Sequence, residues 1–293
     1  MPASEKSGLN AAPSLPHTLG VIAGGGSLPL RLIESCEKKG IAPFVIGFEG
    51  QTDPAIIQGR NHMWTRLGAA GQIMKTLKQH QVIDLVMIGA IRRPSLAELV
   101  PDFKTIEFFA RIGMKALGDN DLLGAIRTML EREGFRLHGV QAFADDLLAR
   151  KGSVGQFEPT EGDWVDIRRG EEVLMALGPL DVGQSVIVQE GMVLGVEAAE
   201  GTDELIRRCG PLKRKGRGGV LVKLCKPQQD RDLDMPTIGP RTLNLAADAG
   251  LAGVCIHAGH SLLLDPDVVA KIADRHKMFV VGIDPHAQVS NNP

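Results

Sequence analysis

Two stretches of this 293-residue chain carry residue types suited to phosphate chemistry. The first is Val21–Pro29, VIAGGGSLP, which places Gly24, Gly25 and Gly26 between an apolar run and a helical pattern. Glycines let the backbone approach an anion, and a helix N-terminus offers unpaired N–H groups at its positive end. The string is an incomplete dinucleotide fingerprint, because Pro29 stands where the third Gly would be. No Gly-Lys-Ser/Thr follows, so it is not a phosphate loop of the Walker type. Taken alone, it reads equally well as a tight strand–helix turn without a ligand. Glu49, after the next apolar run, stands where a ribose-binding acid would be in a dinucleotide fold. Ile88–Pro94, IGAIRRP, adds Gly89, Arg92 and Arg93 at the end of a third apolar run. Those arginines could pair with phosphates or form a solvated basic turn.

The second stretch is Lys223–Pro236, KLCKPQQDRDLDMP. Asp230, Asp232 and Asp234 alternate, so an extended backbone would put three carboxylates on one side. Mg²⁺ takes such oxygen ligands and shares them with substrate phosphates. Lys226 and Arg231 could neutralise a pyrophosphate, although a solvated acidic loop is an equal alternative. Acids also crowd Glu197–Glu204, EAAEGTDE, where Thr202 reads as a helix N-cap with Asp203 and Glu204 in the first turn. Two acid-rich strand ends in one α/β domain would suit metal-assisted phosphoryl chemistry. His257 and His260 straddle a Gly turn, without a third ligand at zinc spacing.

The elements that must hold these residues follow from apolar periodicity. Strands are expected at Leu19–Ala23, Pro43–Phe48 and Asp84–Ala90, with helices at Leu28–Lys39 and Gly71–His80 between them. Apolar strands alternating with helices imply a parallel sheet covered on both faces. Helices follow at Pro94–Leu117 and Asp121–Glu133, then a strand near Arg136–Val140. The second half predicts a helix at Asp163–Leu177, a hairpin around Glu190-Gly191, and a short helix at Leu205–Cys209. It continues with a strand at Gly219–Cys225, a helix at Arg241–Ala249, and strands at Gly253–His257 and Ser261–Leu264. A helix at Asp267–His276 and a strand at Phe279–Ile283 close it. The fold class is α/β in two domains, a Rossmann-like parallel sheet followed by an α/β domain with a mixed sheet.

Composition narrows the field. Lys and Arg number 33 against 35 Asp and Glu, a net charge of −2, so no global basic field attracts nucleic acid. Aromatic residues are 4% with no Tyr, which argues against base-stacking platforms. The four cysteines show no CxxC spacing and read as buried thiols in a reducing cytosol. No apolar run approaches the ~18 residues of a membrane span, and residues 1–17 read as a disordered leader without a secretory core.

Several strings, taken in order, carry a resemblance: Gly24–Pro29, Arg92-Arg93-Pro94-Ser95-Leu96, Gly118–Leu123 (GDNDLL), Glu197–Asp203, Lys226–Asp230 and Pro236–Gly239. Together they resemble the LpxI family, UDP-2,3-diacylglucosamine pyrophosphatases of lipid A biosynthesis, from Leu19 to Ile283. The resemblance implies a Mg²⁺-dependent hydrolase releasing UMP and 2,3-diacylglucosamine 1-phosphate (lipid X). It implies a homodimer in the cytoplasm, peripheral at the inner membrane, acting on a nucleotide-lipid. Residues 18–150 would bind UDP and 163–286 would bind lipid X and carry catalysis, while 151–162 (KGSVGQFEPTEG), rich in Gly, Pro and polar residues, reads as the linker between them.

Carried over, Gly24, Gly25, Gly26, Ser27, Leu28, Pro29, Gly89, Arg92 and Arg93 would face the nucleotide, and Thr202 and Gln229 the substrate. Asp230 matches the family's essential aspartate, with Asp234 the second acid of the string. For the chemistry itself, Asp230 would hold Mg²⁺ or orient the attacking water, Glu200 and Asp203 would complete the metal environment, and Lys223 or Lys226 would bind the departing phosphate. Asp232-Leu233 replaces an Arg–aromatic pair usual there, and Asn120 replaces an acid beside Asp119 and Asp121. Two rival readings remain: an NAD-dependent oxidoreductase and a non-catalytic nucleotide-sugar sensor.

Overall fold

The computed structural model describes residues 15–92, 101–112 and 119–285. Its contacts divide the chain into two units. Among the described residues one holds 15–92, 101–107 and 130–137, the other 108–112, 119–129 and 138–285.

The first unit is a parallel sheet. Its elements are β1 (Thr18–Ala23), α1 (Leu28–Lys38), β2 (Ala42–Phe48), β3 (Asn61–Thr65), α2 (Ala70–Gln79), β4 (Asp84–Ile88) and β5 (Arg136–Leu137). The strand order is β3-β2-β1-β4-β5, with every pair parallel. Leu19, Val21 and Ala23 in β1 and Val45 and Ile46 in β2 are fully buried, as strands covered on both faces require. The order reverses between β1 and β4, and ligands of open α/β sheets bind at the carboxyl ends beside such a reversal. The glycine turn leaves β1 there, and Gly89 leaves β4. β3 (NHMWT) escaped the sequence reading because it is an edge strand whose residues are mostly exposed.

The start of α2 shows how local chemistry is completed at a distance. Ala69 precedes the helix and gives it no side-chain cap. Asp102 supplies the cap instead, its Oδ2 accepting from the Gly71 amide at 2.7 Å and the Gln72 amide at 3.2 Å. Asp102 Oδ1 accepts from the amide and the hydroxyl of Thr105, each at 2.9 Å. Burial pushes the Asp102 carboxyl up, but these hydrogen bonds outweigh it and hold it below the usual range.

In α3 (Phe103–Ile112) and α4 (Asp119–Arg132) the expected helices are found, while Arg93–Val100 and residues 113–118 lie outside the described residues. The leader lies outside them as far as residue 14. Residues 108–112, 119–129 and 138–150 fall with the second unit by their contacts. Residues 151–162, read from composition as a connection, contribute β6 (Gly152–Ser153) to the second sheet. A two-residue strand is too short to show period-two alternation, so composition alone suggested a loop.

The remaining elements are α5 (Glu161–Leu177), β7 (Ser185–Gln189), β8 (Met192–Val196), α6 (Thr202–Cys209), β9 (Val220–Lys223), β10 (Thr237–Ile238), α7 (Pro240–Asp248), β11 (Gly253–His257), β12 (Leu262–Leu263), α8 (Pro266–Arg275) and β13 (Phe279–Ile283). The second sheet runs β6-β13-β11-β9-β7-β8. β9, β11 and β13 are parallel, whereas β7, β8 and β6 pair antiparallel, so the sheet is mixed. Alternation along each strand separates two cores. Val186, Val220 and Val222 pack with Ile167 and Leu174 of α5. Ile187, Leu221 and Val254 pack with side chains of α6, α7 and α8. The hairpin turns at Glu190 and Gly191, both at positive φ, and the buried Asp166 carboxylate accepts both their amides. The four cysteines are buried free thiols. Among the described residues no helix is long and apolar enough to cross a membrane.

Replacing the remote cap, Asp102→Ala, is expected to cost about 1 kcal/mol of unfolding free energy at neutral pH. A carboxyl depressed on folding contributes stability above its unfolded pKa of about 3.9, and loses it as pH falls through the folded value. The gap between wild type and variant in urea unfolding should therefore narrow as pH falls below the unfolded value of about 3.9.

Candidate functional site

The glycine turn uses its three glycines differently. The amide of Gly24 donates to the Ile88 carbonyl at 2.8 Å, and that of Gly25 to the Ala90 carbonyl at 2.7 Å. The Ala90 amide returns to the Gly25 carbonyl at 3.1 Å. A Cβ on Gly24 would lie 2.6 Å from the Ala90 carbonyl oxygen, and one on Gly25 2.8 Å from that of Gln51. Gly89 sits at φ +93°, and its Cβ would lie 2.8 Å from the Gly25 oxygen and from Pro29 Cγ. Gly24 and Gly25 therefore serve close approach between loops, and their amides are already engaged.

Gly26 and Ser27 differ. Both are exposed, and their amides have no hydrogen-bond partner among the described residues. Gly26 lies at φ +88°, and α1 starts at Leu28 with no side-chain cap from Ser27. An anion at this helix start would meet free N–H groups and the positive end of the helix. Pro29 is buried against the turn and Leu28 is half-buried. The Arg92 amide donates to Gln51 Oε1 at 3.0 Å, which ties the β4 loop to the β2 loop beside the turn. Glu49 is exposed after β2, and Arg93 lies outside the described residues.

The second unit gathers polar groups where β9 ends and β7 begins, since Ser185 faces Lys223 across the ladder. Lys223 is only 6% exposed. Its Nζ donates to Thr202 Oγ1 at 2.7 Å, and that hydroxyl donates to Glu197 Oε1 at 3.0 Å. Ser185 Oγ lies 3.2 Å from Thr202 Oγ1, and the Gln184 amide donates to Glu197 Oε2 at 3.3 Å. Burial pushes the Lys223 ammonium pKa down, against the opposing pull of Glu197, Asp234 and Asp203. Thr202 is thus not the N-cap that its sequence position suggests. Gly201 occupies that position, and the hydroxyl is taken by two buried charged groups. A buried polar group left unsatisfied costs about 1–3 kcal/mol, more than a typical cap contributes.

The loop after β9 is folded rather than extended. The Lys226 amide donates to Gln229 Oε1 at 3.1 Å, and the Gln229 amide donates to the Lys226 carbonyl at 3.1 Å. The amides of Leu233 and Asp234 both donate to the Asp230 carbonyl at 3.0 Å. This turn, anchored by buried Leu233 and Met235, overrides the expected row of three carboxylates on one side. Asp234 accepts from the buried Gln229 side chain. Lys226 Nζ is held on Asp181.

Asp230 and Asp232 share a partner that no sequence pattern marked. Arg127 of α4 donates through Nη1 to Asp230 Oδ2, and through Nη2 to Asp232 Oδ2 at 3.1 Å. The Asp232 amide donates to Asp230 Oδ1 at 3.0 Å, and Gln141 Nε2 donates to Asp232 Oδ1 at 3.0 Å. Arg127 lies on the helix that begins within the GDND string. That adjacency was the only available hint.

The expected Mg²⁺ ligands are not brought together. Asp230 faces Arg127, Asp203 faces Arg241 at 2.7 Å, and Glu200 faces Arg208 at 2.8 Å. Its own backbone amide, then Arg208, hold the Glu200 carboxyl low. Among the described residues no group of three His, Cys, Asp or Glu is placed to hold a metal ion. Asp230, Glu200 and Asp203 thus do not share one site among the described residues. His257 is buried with its ring edge-on to His260 at 4.4 Å. The side chains of Asp119, Asn120 and Asp121 lie outside the described residues. A cavity of about 520 Å³ lies beside α2, and its Lys78 and Lys104 are both paired with Glu133.

Residues 18–147 match the family model described as the LpxI N-terminal domain, and residues 150–281 that of the LpxI C-terminal domain. The chain is 36% identical over 276 residues to the protein named UDP-2,3-diacylglucosamine pyrophosphatase LpxI from Caulobacter vibrioides. That match covers 91% of this chain and 98% of the relative. A solved structure titled "Crystal structure of gox2253" aligns with 89% of this chain and 64% of its own, at 14% identity and a TM-score of 0.33. So low a score carries no argument about the fold.

Gly89→Ala is expected to lower unfolding free energy by about 1–3 kcal/mol through strain at positive φ. Thermal denaturation measures it. Thr202→Val, which takes the hydroxyl from Lys223 and from Glu197 Oε1, should cost about 1–3 kcal/mol. The same exchange at exposed Thr128 should cost less than about 0.5 kcal/mol.

Proposed function

This chain belongs to the LpxI family, and from that premise we propose that it hydrolyses UDP-2,3-diacylglucosamine to UMP and 2,3-diacylglucosamine 1-phosphate. The observation that carries the proposal is coverage. Both LpxI domains match in order, and the pyrophosphatase relative is covered over 98% of its length.

In this reading the first unit takes the nucleotide. The start of α1 at Gly26 and Ser27 takes the nucleotide, and Arg92 and Arg93 add positive charge. The second unit acts on the pyrophosphate. Water adds to one phosphorus, the bridging P–O bond breaks, and the bridging oxygen leaves on the other phosphate. Asp230 orients that water. Each of its oxygens already accepts one hydrogen bond and keeps a lone pair for another. Gln229 and Asp234 hold the loop in its turn. Lys226, paired with Asp181, offsets charge on the departing phosphate. Buried Lys223 acts through the Thr202 hydroxyl rather than by direct contact.

Mg²⁺ dependence belongs to the proposal on the family resemblance alone, since Asp230, Glu200 and Asp203 each face a different arginine. Homodimer formation and peripheral contact with the cytosolic face of the inner membrane are likewise proposed on that resemblance. The substrate's acyl chains favour such contact, each buried CH₂ being worth about 0.8 kcal/mol.

The purified chain should release UMP from UDP-2,3-diacylglucosamine, with turnover abolished by EDTA and restored by MgCl₂. Substrate binding without release would instead mark a sensor, and reduction or oxidation of a nicotinamide would mark an oxidoreductase. Asp230→Ala should lower kcat by about 10²-fold or more while still binding substrate. Near-normal turnover in that variant would remove Asp230 from the mechanism.

A further inference from the structure

We propose that Arg127 is the positioning residue for Asp230, fixing its carboxylate through a fork shared with Asp232. The inference rests on the pyrophosphatase reading above and deepens it. Arg127 is 103 positions from Asp230 in sequence, yet its two terminal nitrogens divide between the two aspartates. The arginine side chain is 24% exposed, whereas Asp230 and Asp232 are 37% and 39% exposed. The guanidinium is thus the inner member, and the carboxylates keep an outer face for water.

Each end of the fork is itself held. Asp232 Oδ1 accepts from Gln141 at 3.0 Å, and Asp230 Oδ1 accepts from the Asp232 amide at 3.0 Å. Two carboxylates two residues apart repel each other, and a planar cation donating to both sets their separation and direction. Lysine keeps the charge but, as a point donor, lacks the fork. An exposed ion pair would contribute little to stability. The consequence of this one lies instead in the direction of the Asp230 lone pairs, because an error of about 1 Å at a reacting group can cost about 10²-fold in rate.

The test measures UMP release under saturating and limiting substrate for wild type, Arg127→Ala and Arg127→Lys. Expected is a kcat loss of about 10²-fold for Arg127→Ala, with KM within about threefold of wild type. Arg127→Lys should lose at least about tenfold in kcat despite its charge. Guanidinium chloride at non-denaturing concentration should raise turnover of Arg127→Ala several-fold and leave wild type unchanged. A purely structural role would not produce that rescue. Should Arg127→Ala fail to fold, Arg127→Lys is read in its place.

Wild-type kcat in Arg127→Lys overturns the inference, as does a raised KM with unchanged kcat, which would make Arg127 a substrate contact. A wild type that releases no UMP overturns the functional reading and the inference with it. A wild type that turns over beside an equally active Arg127→Lys overturns the inference alone.

Discussion

A lysine ammonium buried at the end of β9 is the constraint around which the second unit's polar edge is arranged. Removing such a charge from water costs several kcal/mol even after relaxation, unless other groups replace its hydration. Lys223 meets that demand through one hydroxyl, Thr202, which passes the interaction on to Glu197. The start of α6, the end of β8 and the start of β7 are thereby tied to one point. The same demand explains why Thr202 opens the helix instead of capping it, and why Gly201 takes the preceding position at φ +81°.

Beyond β9 the chain meets a second demand, to place several acids in a short loop without leaving them to repel one another. It folds the loop back on the Asp230 carbonyl and gives each carboxylate a cation or a donor. Asp230 and Asp232 share Arg127, and Asp234 takes Gln229. This pairing sets the direction of the Asp230 carboxylate through Arg127 and the Asp232 amide.

The first unit is governed by close approach rather than by charge. Loops leaving β1, β2 and β4 come within hydrogen-bonding distance, and only residues without a Cβ permit it. The division of labour among three consecutive glycines follows. Two join loops, and the third exposes the start of α1.

Sequence alone determined the alternation of apolar strands and helices, the hairpin at Glu190-Gly191, and the family to which the ordered strings belong. These are local properties, carried by periodicity and by residues such as Gly and Pro whose backbone preferences hold in any context. Edge strand β3 and the two-residue strand β6 were beyond that reach, because neither has enough buried residues to show a pattern. Tertiary structure alone decided that the amides of Gly24 and Gly25 are engaged, and that the Thr202 hydroxyl serves Lys223. It also decided that Asp230 faces Arg127 rather than Glu200 or Asp203. In each case the deciding partner is distant in sequence, and the energy lies in satisfying a group that folding has taken from water.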